Sequence, residues 1–414
     1  MRILIHGINY APELTGIGKY TGEMAEWLAQ RGHEVHVLTA LPYYPEWSVH
    51  ENYRGKKWHT ETLNGVKVHR VPLYVPKEVS SAKRIIHEFS FLLSTIPFWI
   101  KAIFSKKFDV VFCIAPPFHL AFFPWIYKSL RGSVWINHVQ DLQVDAAKDL
   151  GMIRNKTLLK AMFGLERFFL LRGNRVSTIS MGMQDKILKK GVVAEKMLFF
   201  PNWVDSEAVF PLPKEESLRL EMGFSAADKI VLYSGNLGEK QGLDAVIKVA
   251  SRFKTDKTVK FVICGSGGGK DKLVELAKQY RLSNVFFFPL QPYEKLSALL
   301  AMANLHLVLQ KSSAADLVMP SKLTGILAAG GCALVTADQG TTLYDVVHDF
   351  QMGILVAPEN DDELERGIRQ GLFEDTTVFK QHARDYAKRY LEKEHILRKF
   401  EQDVEALFLS NKIT

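Results

Sequence analysis

Cysteine is rare in this chain: Cys113, Cys264 and Cys332 are the three among 414 residues. Each stands on a separate apolar segment, so the sequence shows neither paired cysteines nor the C-x-x-C spacing of a zinc site. We therefore expect a reduced, cytoplasmic protein whose fold does not depend on disulfide bonds or structural zinc. At this length, two domains of roughly 200 residues each are expected.

Long apolar runs are also missing. No stretch reaches the roughly 18 to 20 apolar residues of a membrane-spanning helix, and the opening MRILIHGINY lacks the pattern of a secretory leader. The nearest approach is residues 89–104, which Pro97 interrupts and basic residues flank across 83–107. Two interpretations remain open: a helix lying on an anionic membrane, at the inner face of the plasma membrane, or a crossover helix buried against a sheet.

Two common nucleotide-binding motifs are absent. Gly16, Gly18 and Gly22 follow the first strand too late and with the wrong spacing for G-x-G-x-x-G, and no P-loop occurs. The net charge of +8, from 53 basic and 45 acidic residues, is spread along the chain and accompanies no zinc-finger or RNA-recognition motif. The sequence therefore favours neither a nicotinamide oxidoreductase nor a nucleic-acid-binding protein.

What the chain does contain is a set of three loops in its second half, each of which follows an apolar strand and leads into a helical pattern. They lie within residues 229–243, 259–273 and 305–331. Repetition of strand, loop and helix predicts parallel βαβ units whose loops meet at one sheet edge. Glycine and helix N-termini suit a phosphate ligand, because backbone N–H groups can approach it closely.

The pattern predicts two doubly wound α/β halves. Three prolines within residues 199–213 mark the linker between them, and a charged helical stretch, 380–409, ends the chain. We expect domains at 1–205 and 206–389, with a helix at about 390–414 packing back on the first. In the first half, a helix is predicted over Gly18–Arg31, ending at Gly32. The predicted strands are Arg2–His6, Glu34–Thr39, Val66–Val71, Val110–Ile114, Val134–His138, Arg175–Ile179, Lys229–Tyr233, Lys260–Cys264, Val285–Phe288, Leu305–Leu309 and Ala333–Thr336.

Several segments together resemble the family-four glycosyltransferases, most closely the colanic-acid and exopolysaccharide type, proposed there to transfer fucose. They are APELTGIGKYTGEMAEWLAQRGHEVHVLT, WINHVQDLQVDAA, PNWVD, SGNLGEKQGLDAVI, FVICGSGGG, FFPLQPYEKLSALLAMANLHLVL and MPSKLTGILAAGGCALVTA. The resemblance covers nearly the whole chain. It implies a GT-B fold, in which two Rossmann-like, doubly wound parallel-sheet domains face each other across a cleft.

The resemblance implies that the second domain binds a nucleoside diphosphate sugar as co-substrate, with a GDP-sugar favoured over a UDP-sugar. Such enzymes usually need no metal or other cofactor, and this chain has no Asp-x-Asp triplet to hold a divalent ion. Lys240 and Lys322 would neutralise the leaving diphosphate, with N–H groups of Gly235, Ser321 and Leu323. The base would rest on Gly265, Ser266 and the turn from Gln291 to Tyr293.

This sequence departs from the family at three donor-site positions. Asn236 replaces the usual arginine and Gln241 the usual lysine, so that Lys240 would substitute by one position. The family's final motif has two glutamates, of which the second usually binds the ribose. In this chain Gly325 stands at the second position, and the first position corresponds to Asp316 or Leu317. We expect Asp316 to contact sugar hydroxyls.

On the acceptor side, His138 ends a predicted strand and matches the family's active-site histidine. There it would hydrogen-bond the donor sugar or assist proton movement. Asp141 or Asp145 would orient it or bind acceptor, and the Gly16–Gly18 loop would approach the diphosphate. For each, an ordinary structural role is the alternative: a hydrogen-bonded histidine, a solvated carboxylate or a helix-entry glycine.

The resemblance therefore implies a retaining glycosyltransferase that acts on a lipid-linked or polysaccharide acceptor in cell-surface glycan synthesis. Two alternatives stay open. One is a nucleotide-sugar epimerase on the same fold, which would convert donor without acceptor. The other is a non-catalytic nucleotide-sugar-binding protein, which the three departures at the donor site make plausible.

Overall fold

The computed structural model describes residues 1–13, 16–78, 80–149, 153, 155–238, 241–312 and 320–413. They divide into two compact units, Met1–Pro201 with Leu397–Thr414, and Asn202–Ile396. The division after residue 201 lies four residues before the sequence-based boundary, and the part of the last helix that belongs to the first unit begins at Leu397.

The first unit holds an eight-stranded sheet with helices on both faces. Its strands are β1 (Arg2–His6), β2 (Glu34–Ala40), β3 (His59–Leu63), β4 (Val66–Val71), β5 (Val110–Ala115), β6 (Val134–Val139), β7 (Arg175–Thr178) and β8 (Met197–Phe199). Its helices are α1 (Gly16–Gln30), α2 (Ser81–Ser94), α3 (Ile96–Phe104), α4 (Phe122–Arg131), α5 (Gln143–Asp149), α6 (Lys156–Arg172) and α7 (Met181–Lys189). The strand order is β3-β4-β2-β1-β5-β6-β7-β8, and β3 alone runs antiparallel to its neighbour.

The second unit holds a six-stranded, wholly parallel sheet. Its strands are β9 (Lys229–Ser234), β10 (Val259–Cys264), β11 (Val285–Phe288), β12 (Leu305–Val308), β13 (Ala333–Thr336) and β14 (Gly353–Val356). The helices are α8 (Asp244–Arg252), α9 (Lys270–Gln279), α10 (Leu296–Ala301), α11 (Ser321–Ala328), α12 (Thr342–Asp349), α13 (Asp361–Phe373) and α14 (Thr377–Tyr390), and α15 (Lys393–Ile413) runs on into the first unit. The strand order is β11-β10-β9-β12-β13-β14. The order of connection therefore switches between β9 and β12, and parallel sheets of this kind bind ligands at such a switch.

Apolar residues make the central strands because both sheet faces are covered. In β9, Ile230 and Leu232 pack into one core cluster, whereas Val231 and Tyr233 pack into the cluster on the opposite face. This continuous apolar pattern is typical of buried parallel strands. Polar caps fix several helix starts: the side chains of Ser80, Asn155, Ser180, Thr341 and Asn360 each accept a backbone N–H of the first turn.

Candidate functional site

Two glycine turns interlock at the carboxyl ends of β9 and β10. The Gly235 N–H donates to the Cys264 carbonyl at 2.9 Å, and the Leu237 N–H donates to the Ser266 carbonyl at 2.9 Å. A Cβ atom on Gly265 would lie 2.0 Å from the Gly235 carbonyl oxygen, so only glycine fits there. The two turns therefore form one backbone surface beside the switch in strand order.

Lys322 extends from the second residue of α11 towards this surface. Its Nζ donates to the Tyr233 hydroxyl at 2.7 Å and lies 3.9 Å from the centre of the tyrosine ring. A Cβ on Gly235 would lie 3.4 Å from the same Nζ, which shows how close the ammonium and the turn are. Burial lowers the pKa of Lys322 to about 7. An arriving diphosphate would restore the charged form, because an anion next to the amine favours its protonation.

Tyr233 was not among the sequence-predicted site residues. Its hydroxyl donates to the Asn236 carbonyl at 2.7 Å while it accepts from Lys322, so one side chain connects the glycine turn with the cation. Burial raises the pKa of this phenol, which keeps the hydroxyl protonated. Its position as the fifth residue of β9, two residues before Gly235, is the only sequence signal that could have drawn attention to it.

Two of the backbone donors expected to bind diphosphate are already engaged within the unit. The Gly235 N–H bonds the Cys264 carbonyl, and the Leu323 N–H donates to the Pro320 carbonyl at 2.9 Å. The turn and the first helical turn use these two groups internally in this structure, and their binding of a diphosphate stays a prediction. Ser321 begins α11, and no side-chain hydrogen bond from a described residue caps that helix.

The remaining donor-site predictions divide into three groups. Lys240 and Asp316, with Leu317, lie outside the described residues. Ser266 is exposed beside the turns. In the segment expected to hold the base, the Gln291 amide donates to the Pro289 carbonyl and Tyr293 begins a short 3₁₀ turn. Gly325 packs towards α10, since a Cβ there would lie 3.9 Å from Leu296 and from Leu300.

Gln241 faces a separate opening in the second unit. The pocket has about 360 Å³ of empty space and lies at the carboxyl ends of β12, β13 and β14, where Leu309, Thr336 and Ala357 line it. The buried Oε1 atom of Gln241 has no hydrogen-bond partner among the described residues. The neighbouring residues 239 and 240 lie outside the description.

In the first unit, His138 is the fifth residue of β6 and is buried. Its Nδ1 lies 2.9 Å from the Ser177 hydroxyl on β7, and its ring packs 5.2 Å from the ring of Phe200. Burial lowers the pKa of His138 to about 3, so the imidazole is neutral at ordinary pH. A neutral imidazole fixed through one nitrogen can exchange a hydrogen bond with a sugar hydroxyl but does not provide a stored positive charge.

Aromatic stacking connects this histidine with the end of the chain. Phe200 stacks on Phe400 of α15, with ring centres 3.6 Å apart and planes 6° from parallel, and Phe400 also contacts Phe112. Arg31 and His33 bind the Glu401 carboxylate on the same helix. Residues from Leu397 onward are therefore part of the core on which His138 depends.

Asp141 and Asp145 lie in different surroundings just after β6. Asp141 lines a pocket with about 280 Å³ of empty space, together with Asn137 and Glu166. Asp145 instead forms an ion pair with Lys190, which also binds Glu166. The expectation that Asp145 binds acceptor is thus not supported by its contacts, because a neighbouring cation already neutralises its carboxylate.

Residues Gly16–Gly18, expected as a loop, form the first turn of α1 and adjoin a buried carboxylate. Gly16 has a φ of +60°, which favours glycine, and a Cβ on Gly18 would lie 3.0 Å from the carboxylate Oε2 of Glu13. Glu13 is buried, and it accepts the backbone N–H groups of Tyr43 and Tyr44 at 3.1 Å each. Burial raises the pKa of this carboxyl. Gly18 therefore makes room for a buried carboxylate next to the loop.

One group of three potential metal ligands occurs among the described residues: His33, Glu401 and Glu405. The N-terminal ammonium lies 3.1 Å from His33 Nδ1, and Arg31 Nε lies 3.3 Å from Glu401. These cations already balance the carboxylate, and the group connects α15 with the start of β2.

Two family profiles match the chain in succession. Residues 15–203 match the family described as "Glycosyl transferase 4-like domain", and residues 215–390 match "Glycosyl transferases group 1". A protein of Escherichia coli (strain K12), named as a colanic acid biosynthesis glycosyl transferase, WcaI, is 44% identical over 412 residues. The match covers 98% of this chain and 100% of that protein. The chain belongs to the family-four glycosyltransferases.

Solved structures of other glycosyltransferases share its fold. Sucrose-phosphate synthase from Thermosynechococcus elongatus superposes with a TM-score of 0.78 at 15% identity, covering 99% of both chains. HepE of Anabaena in complex with UDP-glucose superposes with a TM-score of 0.70 at 14% identity, covering 98% of this chain and 100% of that one. The predicted fold class, GT-B with two parallel-sheet α/β domains, is confirmed.

Proposed function

We propose that this glycosyltransferase moves a hexosyl or fucosyl group, with retention of configuration, from a nucleoside diphosphate sugar to a lipid-linked or growing exopolysaccharide acceptor. The identity of 44% with WcaI, along the full length of both proteins, supports a role in colanic acid or related exopolysaccharide synthesis. The UDP-glucose complex of HepE supports the donor class. A cytoplasmic location, at the inner face of the plasma membrane, follows from that acceptor.

The observation that carries the proposal is the position of Lys322 beside the Gly235 turn. Rupture of the bond between sugar and phosphate leaves growing negative charge on the diphosphate, and a fixed cation stabilises that charge more than it stabilises the ground state. The Tyr233 hydroxyl accepts a hydrogen bond from the lysine Nζ at 2.7 Å and so holds the ammonium in place. We assign the leaving diphosphate to this cation and the adjoining turn, without a metal ion.

The proposed step balances without any further reactant. The acceptor hydroxyl oxygen bonds to the anomeric carbon on the face from which the diphosphate departs, and the diphosphate leaves with the electron pair of the broken C–O bond. A phosphate oxygen of the leaving group takes the hydroxyl proton. His138, neutral and held by Ser177, is assigned a hydrogen bond to the reacting sugar.

A two-stage assay tests the proposal. A thermal-shift screen with GDP-sugars and UDP-sugars identifies a donor that raises the melting temperature, and product formation is then measured with that donor and a membrane extract. We expect a glycosylated lipid product whose anomeric configuration, read by NMR, matches that of the donor. Conversion of the donor without acceptor would instead support an epimerase, and stabilisation without turnover would support a binding protein.

A further inference from the structure

Helices α2 and α3 are apolar on two sides rather than one. Their inner sides carry Phe91, Leu92, Trp99 and Ala102, all buried in the same core cluster of the first unit. Because both helices face one core, the residues on their opposite sides point away from it. The segment is therefore buried on one side, as the crossover interpretation expects, and exposed on the other.

The outer side has an ordered apolar pattern. On α2, the exposed residues are Ile85, Ile86, Phe89 and Leu93. Phe89 follows the isoleucines by three and four positions and Leu93 follows Phe89 by four, so the residues form one helical stripe. The described part of the chain contains 24 large apolar side chains that are exposed, and six of them lie in the 20 residues from Ile85 to Phe104. Such clustering distinguishes a patch from the scattered apolar residues of an ordinary surface.

Helix α3 continues the pattern with Ile100 and Phe104, which are 55% and 85% exposed. Only Thr95 separates α2 from α3. We call these six residues, Ile85, Ile86, Phe89, Leu93, Ile100 and Phe104, the outer face.

Aromatic and basic residues adjoin the outer face. The indole N–H of Trp58 donates to the Ser94 carbonyl at 2.9 Å, which places this exposed ring at the junction of the two helices. From residue 81 to residue 107 the chain has five basic side chains and one acidic side chain, Glu88, which is buried. Lys101 and Lys106 are exposed on and just after α3, and the Lys106 ammonium also lies 3.6 Å from the Glu34 carboxylate. Tryptophan and cations around an apolar stripe are features of helices that lie in a membrane interface.

We propose that the outer face lies on an anionic lipid bilayer, with its apolar side chains among the acyl chains and Lys101 and Lys106 at the headgroups. The inference rests on the proposed function, since a lipid-linked acceptor would be presented at such a surface. None of the described helices combines the length and apolar character needed to cross a bilayer. The excess of basic charge favours lipid over a second copy of the chain, because two such faces would repel each other.

Vesicle co-sedimentation of the full chain tests the proposal. We expect binding to vesicles of phosphatidylglycerol and phosphatidylethanolamine, and weak binding to phosphatidylcholine alone. The double variant Ile100→Ser with Phe104→Ser should lower the partition coefficient by about tenfold or more. The double variant Lys101→Gln with Lys106→Gln should lower it by a similar factor, about tenfold, on anionic vesicles only.

One substitution of an exposed apolar residue on the second unit serves as the control. Leu220 is 80% exposed there, and Leu220→Ser should bind vesicles like the unaltered chain. All variants should keep their melting temperature and their transfer rate to a detergent-dispersed acceptor, so that failure of attachment is distinguishable from failure of catalysis. Equal binding by all variants, no binding by the unaltered chain, or a dimer in sedimentation equilibrium that Phe104→Ser dissociates would overturn the proposal.

Discussion

Lys322 Nζ and Tyr233 Oη lie 2.7 Å apart, although 89 residues separate them in the sequence. The tyrosine hydroxyl also donates to the Asn236 carbonyl, so it determines both where the cation lies and how the glycine turn is held. The family resemblance implies an arginine at the position of Asn236. In the proposed reaction, the diphosphate of the donor is therefore assigned to the lysine and its tyrosine support.

Removal of the tyrosine hydroxyl tests this support. Tyr233→Phe keeps the ring under Lys322 but removes two hydrogen bonds, and we expect GDP or UDP to bind about three- to tenfold more weakly, since one such bond contributes about 1 kcal/mol. Isothermal titration calorimetry measures the change. Tyr280→Phe, at an exposed tyrosine of the same unit, should bind nucleotide normally. Unchanged affinity in Tyr233→Phe would show that the hydroxyl does not position the site.

Lys322 should make nucleotide binding depend on pH. Its pKa of about 7 means that the amine is charged below that pH and increasingly neutral above it, whereas bound diphosphate favours the charged form. The dissociation constant should therefore be constant below pH 7 and rise with pH above it, by up to about tenfold per unit. Calorimetry in buffers of different ionisation enthalpy should show proton uptake on binding at pH 8.

Lys322→Gln provides the comparison for that titration. We expect nucleotide to bind about 30- to 100-fold more weakly, because a charge-assisted contact to the diphosphate is lost. The dissociation constant of this variant should also lose the rise above pH 7 that Lys322 causes. If Lys322→Gln kept the slope of the unaltered protein, another group would be responsible for it.

His138 should affect turnover more than nucleotide binding. His138→Ala removes the hydrogen-bonding group proposed to contact the reacting sugar, and we expect kcat to fall by about 100-fold or more with nucleotide affinity unchanged. Ser177→Ala leaves the ring in place but releases its Nδ1 nitrogen, so its loss of turnover should be smaller. His348→Ala, at an exposed histidine of the second unit, is the control. Full turnover in His138→Ala would exclude the residue from the reaction.

Phe400 should be important for stability. Phe400→Ala leaves the stacked Phe200 ring without its partner, and we expect the free energy of unfolding to fall by about 3 to 5 kcal/mol. Leu409→Ala lies on the same helix at a largely exposed position and should change stability by less than about 0.5 kcal/mol. Urea unfolding followed by circular dichroism compares the two. Equal stability of both variants would contradict the role assigned to the last helix.

Chelation tests the absence of a required metal ion. Because the diphosphate charge is assigned to Lys322 and backbone dipoles, transfer activity should persist in excess EDTA. A radiolabelled-donor assay with and without chelator measures it. Loss of activity that magnesium restores would refute the metal-free assignment.

Much of the fold could be predicted because parallel strands buried on both faces are continuous apolar runs. The predictions for Arg2–His6, Val66–Val71, Val285–Phe288 and Ala333–Thr336 agree with the observed strands at both ends. Strand β3 was missed because its sequence, HTETL, is polar and half-exposed at the sheet edge. The following Asn64 and Gly65, with φ of 47° and 82°, are a hairpin signal that could have revealed it.

The site was less predictable because its contacts join distant parts of the chain. Lys322 stood out through the family resemblance, and His138 through the resemblance and its place at the end of a predicted strand. Their partners Tyr233 and Ser177 have no local pattern that marks them. Glycine was read as space for a ligand, whereas Gly18 and Gly265 make space for the protein's own Glu13 carboxylate and Gly235 carbonyl. Sequence shows where side chains are small, but not which group comes close.

The contact between Gly265 and the Gly235 carbonyl also limits how such an enzyme can acquire a new donor. No bulkier residue can enter at position 265 without separating the two turns. With the base at these turns, as the family resemblance implies, selection for a different nucleobase has to act on exposed neighbours such as Ser266. A saturation library aimed at donor preference would therefore gain nothing from that glycine and should randomise the solvent-facing positions around it.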